Sequence, residues 1–150
     1  MISTDKILLG ALCASIAVAV VATAMLAVSP KDTIAEVVIA GERLKVVVAN
    51  TPELQEKGLG GRKSLEPNGG MLFIFPKPGF YGFWMKDMKI PIDIIWFDAN
   101  RRIVDVWENA TPESYPEARE PRDASLYVLE VNAGFYKKHT LKKGDVVELK

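Results

Sequence analysis

The chain has 150 residues, 49% of them hydrophobic and 25% charged, and its 19 Lys/Arg balance 19 Asp/Glu. That balance supplies no basic excess for nucleic acid and no acidic tail. One cysteine, Cys13, and one histidine, His139, exclude a disulfide framework, a thiolate metal centre and a histidine-rich metal cluster.

The first element is Ile7–Val28, a run without a charge, bounded by Lys6 and by Ser29-Pro30-Lys31-Asp32. As a helix rising about 1.5 Å per residue it reaches roughly 33 Å, enough to cross a hydrocarbon core of about 30 Å. Two readings follow, a retained single-pass anchor and a cleaved signal peptide leaving after Ala22-Thr23-Ala24. The run is longer than a signal core and continues past that exit, which favours retention. Gly10-Ala11-Leu12 do not form the motif that lipid attachment at Cys13 needs. Asp5 and Lys6 on one side and Lys31 and Asp32 on the other give little charge bias. A short tail before a long domain still resembles a signal anchor, so the expected location is the cell membrane with the C-terminal domain outside the cytoplasm. Ala11, Ser15, Ala19, Thr23 and Ala27 form a row of small residues at which helices pack closely in lipid, and an alanine-rich helix also produces such a row by chance. The expected organisation is a tail over 1–6, an anchor in contact with lipid over 7–28, a linker over 29–35 and one domain over 36–150.

Every charge except Asp5 and Lys6 lies beyond the apolar run, and the domain has no cysteine, so a cysteine nucleophile is excluded. Val37-Val38-Ile39-Ala40, Gly41-Glu42 and the run Arg43–Asn50 predict a hairpin. Thr51 is placed to cap a short helix with Pro52 in its first turn and Gly58 at its end. Leu59–Gly70 is glycine-rich loop, and Met71–Phe75 predicts a central strand with apolar residues on both faces. A turn is expected over Pro76–Gly79, an aromatic strand over Phe80–Met88, a strand over Ile92–Phe97, a turn over Asp98–Arg101 and a returning strand over Arg102–Glu108. Ala110–Ala124, with three prolines, reads as a long loop. Leu126–Val131 and Asp145–Leu149 read as strands, with a helical turn at Gly134–His139. The sum is an α+β domain of about eight short strands in a mainly antiparallel, strongly curved sheet or half-barrel, with one or two short helices.

Three segments carry a resemblance: Gly70–Phe75, the run Phe83–Phe97 with its Phe-Trp-Met-Lys-Asp start and Ile90-Pro91-Ile92-Asp93, and Val128–Gly134. Together they resemble the "domain of unknown function 192" family over residues 36–149. Gly58-Leu59-Gly60-Gly61-Arg62 is similar to an earlier family segment, with Gly60 where methionine is usual. The resemblance implies a compact β-rich domain, often secreted or membrane-tethered. It implies no reaction.

Candidate functional residues cluster in the same segments. Alternation along a strand puts Phe83, Met85 and Asp87 on one face and Trp84, Lys86 and Met88 on the other, with Lys86 outward beside Trp84. Asp93 sits in the apolar run Ile92–Phe97, where a carboxylate is costly to bury unpartnered. It either accepts backbone N–H bonds or pairs with Arg62 or Lys86 to hold the fold, or it faces a ligand. A binding site would then comprise Arg62, Trp84, Lys86, Asp87 and Asp93, with the glycine-rich loop Gly58–Gly70 completing the groove, taking a small polar or carbohydrate-like ligand or an extended segment of a partner protein. Trp84, between Phe83 and Met85, is a residue more often found in a core than as a ligand platform. An alternative is a weak hydrolase using Asp93 and Glu130 as its carboxylate pair, and another is an accessory subunit of a membrane complex. Asp87, Asp93 and Glu130 do not have the spacing of a cation loop. No metal or other cofactor is expected, and no nucleic-acid partner. His139 is expected at the surface of a helix C-terminus.

Overall fold

The computed structural model describes residues 33–150. The apolar run Ile7–Val28 and the tail before it lie outside the described residues. Among the described residues no helix is long and apolar enough to cross a membrane.

Nine strands and two short helices follow in chain order. They are β1 (Ile34–Ile39), β2 (Glu42–Ala49), α1 (Pro52–Lys57), β3 (Gly69–Gly79), β4 (Phe83–Trp84), β5 (Ile92–Phe97), β6 (Ile103–Ala110), β7 (Ala118–Arg119), β8 (Ser125–Asn132), α2 (Phe135–Lys138) and β9 (Glu148–Leu149), with a 3₁₀ turn at Pro112–Ser114 before β7. Seven strands form one sheet in the order β6-β5-β8-β3-β2-β1-β9, and β4 pairs with β7 separately. Within the large sheet β2 and β3 run parallel and the other pairs antiparallel. The parallel step needs a crossover, which α1 and the loop after it provide. The β1–β2 hairpin forms as the sequence predicts, with its turn at Ala40-Gly41, one residue before the Gly41-Glu42 expected. Ala40 and Gly41 take φ of 50° and 79°, the left-handed pair that a two-residue turn of matching twist requires.

The sheet curls until its ends meet. Ile103 N donates to Asp145 O at 2.9 Å, Gly144 N to Ile103 O at 2.8 Å and Val147 N to Arg101 O at 2.9 Å. The half-barrel expected from sequence is therefore drawn nearly shut by the segment before β9. Alternate residues fill its two faces. Val37, Leu44, Leu72, Ile95, Leu129 and Val131 pack on the inner face. Met71, Phe73, Ile94, Trp96 and Val128 pack on the outer face, covered by Leu59, Phe83, Met85 and Met88. Burial on both faces explains why β3, β5 and β8 read as unbroken apolar runs. Each such side chain contributes about 1.5–3 kcal/mol relative to exposure.

Some boundaries differ from the expectation. The chain stays extended through Pro76–Gly79 because the pairing with β8 lapses between Ile74 and Gly79, where missing N–H groups cost the ladder nothing. The aromatic segment Phe80–Met88 contributes only Phe83–Trp84 as strand, since its partner β7 is two residues long. The long loop 110–124 holds β7, tied to β6 by Asp105, which accepts from Arg122 N at 2.9 Å and Arg119 Nη2 at 3.4 Å. β1 begins at Ile34, inside the stretch read as linker.

Candidate functional site

The helix α1 sets one wall of a cleft. Thr51 Oγ1 accepts from Leu54 N at 3.4 Å, and Pro52 stands in the first turn. Gln55 Nε2 donates to Ala49 O at 3.2 Å and Ile74 O at 3.0 Å, which pins the helix to the edge where β2 meets β3. Gly58, at φ 51°, ends the helix. A Cβ there would lie 3.6 Å from the Phe73 ring and 3.8 Å from Glu130 Oε2, so a larger side chain would project over both. Gly61 N donates to Asp87 O at 2.9 Å, stitching the loop after α1 to the turn after β4.

Between these segments and the outer face of the sheet lies a cleft of about 270 Å³. Its walls are Phe73, Phe75, Tyr81, Phe83, Trp84 and Met88. Phe75 and Tyr81 stack in parallel at 3.6 Å, and Phe73 meets Phe83 edge-on at 4.8 Å. Trp96 Nε1 donates to Tyr81 O at 3.0 Å, which fixes the Tyr81 backbone. Trp84 is 47% exposed at the mouth, with Lys86 Nζ 5.6 Å from its ring centre. Lys57 also borders the cleft.

Glu130 belongs to the floor. It sits on β8 opposite Met71 of β3 and Ile94 of β5, and it is 5% exposed. Its Oε2 has no hydrogen-bond partner among the described residues. Burial pushes its pKa up to about 8, a rise that the backbone N–H of Leu59 opposes. A buried carboxyl with an unsatisfied oxygen costs stability and calls for an explanation.

Asp93 is placed differently. It is fully buried on β5, and its carboxylate accepts three backbone N–H groups: Asn109 at 2.8 Å, Gly134 at 3.1 Å and Tyr136 at 2.8 Å. These bonds join β5 to the end of β6 and to the start of α2. Asp93 therefore touches neither Arg62 nor Lys86, and it has no solvent access for a ligand. In the β5–β8 register Asp93 stands opposite Val131 while Ile94 stands opposite Glu130. Neighbouring residues on a strand point to opposite faces, so Asp93 and Glu130 are separated by the sheet. The carboxylate pair expected for a hydrolase does not converge, and neither does a cation site built from Asp87, Asp93 and Glu130.

The other candidates divide. Trp84 and Lys86 stand together outward, as alternation predicts, and both border the cleft. Asp87 breaks the alternation. Its φ of 59° turns the chain, leaving Asp87 exposed and sending Met88 inward to the cleft. Asp87 lines a shallower neighbouring depression with Lys86, Glu53 and Glu56. Arg62 is exposed in the loop and does not line the cleft. His139 is half-buried rather than at the surface, 4.4 Å from the Phe135 ring and 3.7 Å from Glu42 Oε1. The start of the glycine-rich loop, Gly58–Gly60, lines the cleft as expected, and the residues missed from sequence are Phe73, Phe75, Tyr81, Phe83 and Met88. The alternation of β3, which puts Phe73 and Phe75 on the face of Met71, was the signal available for two of them.

The domain of unknown function 192 family model, described as an uncharacterised ACR, matches residues 35–149. The chain belongs to this family. The DUF192 domain is also similar to two solved structures. One is a protein of unknown function from Novosphingobium aromaticivorans, 33% identical with a TM-score of 0.73, covering 77% of this chain and 84% of that one. The other, from Sinorhizobium meliloti, is described provisionally as a transcription regulator; it is 31% identical with a TM-score of 0.74, covering 79% of this chain and 95% of that one. No curated protein matches the chain.

Proposed function

We propose that the DUF192 domain is a binding module whose ligand, a small molecule, enters the cleft over Glu130. One observation carries this reading. Glu130 Oε2 is buried without a partner among the described residues and borders a cleft with aromatic walls. A concave, mostly apolar site with a few placed polar groups is the usual form of a small-molecule site. The hydrolase alternative lacks its second carboxylate, since Asp93 is on the other face. A transcription-regulator role, as described for the Sinorhizobium protein, gains no support from a chain whose 19 Lys/Arg and 19 Asp/Glu cancel.

The run Ile7–Val28 completes the proposal. It holds the module at the cell membrane, with the cleft outside the cytoplasm. Two measurements test the reading. Full-length protein should stay in the membrane fraction after a carbonate wash, and recovery as a soluble form starting near Met25 would replace the anchor with a cleaved signal. In mild detergent, a library of small molecules should yield binders that perturb the nuclear magnetic resonance signals of Trp84 and Phe73. Binders that map only elsewhere, or no binders at all, would remove the cleft as a ligand site.

A further inference from the structure

We infer that the ligand of the cleft is an organic ammonium with an apolar body about the size of one ring, its nitrogen directed at Glu130 Oε2. This rests on the cleft being a ligand site and names the chemistry that fits it. Glu130 Oε2 is an unpartnered oxygen at the floor, on a side chain 5% exposed. Ionised, it can only accept hydrogen bonds, so its complement is a donor. A charged donor makes bonds roughly twice as strong as a neutral one. The walls point the same way. Phe73 and Phe83 stand beside the carboxyl, and Phe75, Tyr81 and Trp84 complete the lining. Aromatic faces attract cations and also bury an apolar body. An anionic ligand would meet a carboxyl at the floor with no cation beside it. Lys57 and Lys86 border the cleft, and Lys86 Nζ lies over the exposed Trp84 ring. Those two cations favour entry with the ammonium end leading and any anionic tail left at the mouth.

Proton balance follows from burial. Without ligand the carboxyl is held mainly in its neutral form at neutral pH. Pairing with an ammonium ionises it, so one proton leaves Glu130 for solvent per ligand bound. The other titratable groups around the cleft are Glu56 and Lys57 of α1, Tyr81, and Lys86. The flanking strands β3 and β5 set Met71 and Ile94 opposite Glu130, and neither titrates. Affinity for an ammonium therefore rises with pH until it levels near 8.

The test uses three probes of nearly equal shape, benzylammonium, benzyl alcohol and benzoate, titrated calorimetrically into the full-length protein in detergent. Benzylammonium should bind at least about tenfold tighter than the alcohol at pH 7.5, with benzoate weakest. Its affinity should climb about fiftyfold between pH 6 and 8, as the ionised fraction of the carboxyl rises. Titrations at pH 6.5 in buffers of different ionisation enthalpy should show close to one proton released. Glu130→Gln should lose both the ammonium preference and the pH dependence while still binding the alcohol. Its melting curve confirms that it folds. Alcohol or benzoate binding as tightly as benzylammonium, or an affinity independent of pH, overturns the inference and leaves a binding cleft standing. If none of the three binds, the inference falls, and the cleft itself falls only if the wider library also gives no binder.

Discussion

Asp93 and Glu130 are both buried carboxylates, one residue apart in the β5–β8 register, yet the two faces of the sheet treat them in opposite ways. On the inner side Asp93 is met by three backbone N–H groups from Asn109, Gly134 and Tyr136. On the outer side Glu130 keeps an oxygen with no partner among the described residues. The inner carboxylate stabilises the fold, because it ties three backbone donors at a strand end and a helix start to one buried side chain. The outer one destabilises it, because burial disfavours its charge and the backbone N–H of Leu59 returns only part of the cost. A fold does not need the second arrangement. A strained or unsatisfied group that persists points to a use.

The sharpest way to break this contrast is to remove charge from each. Asp93→Asn is nearly isosteric, but it puts an NH₂ where donors converge. Bonds to a charged acceptor are worth about 1.5–3 kcal/mol each, so the variant should lose roughly 3–5 kcal/mol in urea unfolding. A loss below about 1 kcal/mol would mean that the three N–H bonds do not hold the fold.

Glu130 should behave with the reverse sign. Its pKa is raised from 4.5 to about 8 in the folded protein, so between those values the folded state binds more protons than the unfolded one. Stability must then fall as pH rises from about 4.5 to about 8, at up to about 1.4 kcal/mol per unit, and be flat in this respect below that window and above it. Glu130→Gln should remove that slope and be more stable than the wild type at pH 8. Melting temperatures of both proteins across pH 4–9 check it. An unchanged slope in the variant would assign the pH dependence to other groups.

Two smaller effects locate the contrast in the backbone. A Cβ on Gly70 would come within 2.7 Å of Glu130 O, inside the β3–β8 ladder under the cleft. Gly70→Ala should cost about 1–3 kcal/mol by overpacking and shift the resonances of Glu130 and Phe73. Thr51→Ala removes the cap of α1 and should cost about 0.5–1 kcal/mol, read as faster amide exchange confined to α1 and the Gly58–Gly61 loop. Exchange that quickens throughout the sheet instead would show that α1 is not a separable wall.

Much of this was legible in the order of residues. Local rules sufficed wherever the cause was local. The hairpin turn at Ala40-Gly41, the helix from the Thr51 cap to Gly58, and the strand Ile92–Phe97 each follow from residues within a few positions of one another. The family and the β-rich half-barrel followed from motifs spread over the domain. The candidate site was legible only in part. Trp84 and Lys86 were placed at the cleft, whereas Arg62 and Asp87 were not. The turn at Asp87 was hidden because its left-handed φ is imposed by a bond between its carbonyl and Gly61, 26 positions earlier. The cleft residues Phe73, Tyr81 and Phe83 read as core, since apolar composition does not distinguish a wall from an interior.

The sequence by itself determined the charge balance, the absence of thiol and histidine metal chemistry in the domain, the apolar run Ile7–Val28 and the strand pattern, because each is a property of composition or of short-range periodicity. Only the tertiary structure decided where the two buried carboxylates among the described residues point. Both lie among apolar neighbours, as Ile92-Asp93-Ile94 and Leu129-Glu130-Val131. The register of β5 against β8 and the sheet's pleat send one towards the backbone donors of Asn109, Gly134 and Tyr136 and the other towards a cleft closed by α1. Those partners are 16 to 43 residues from Asp93, and their convergence exists only once the sheet has curled.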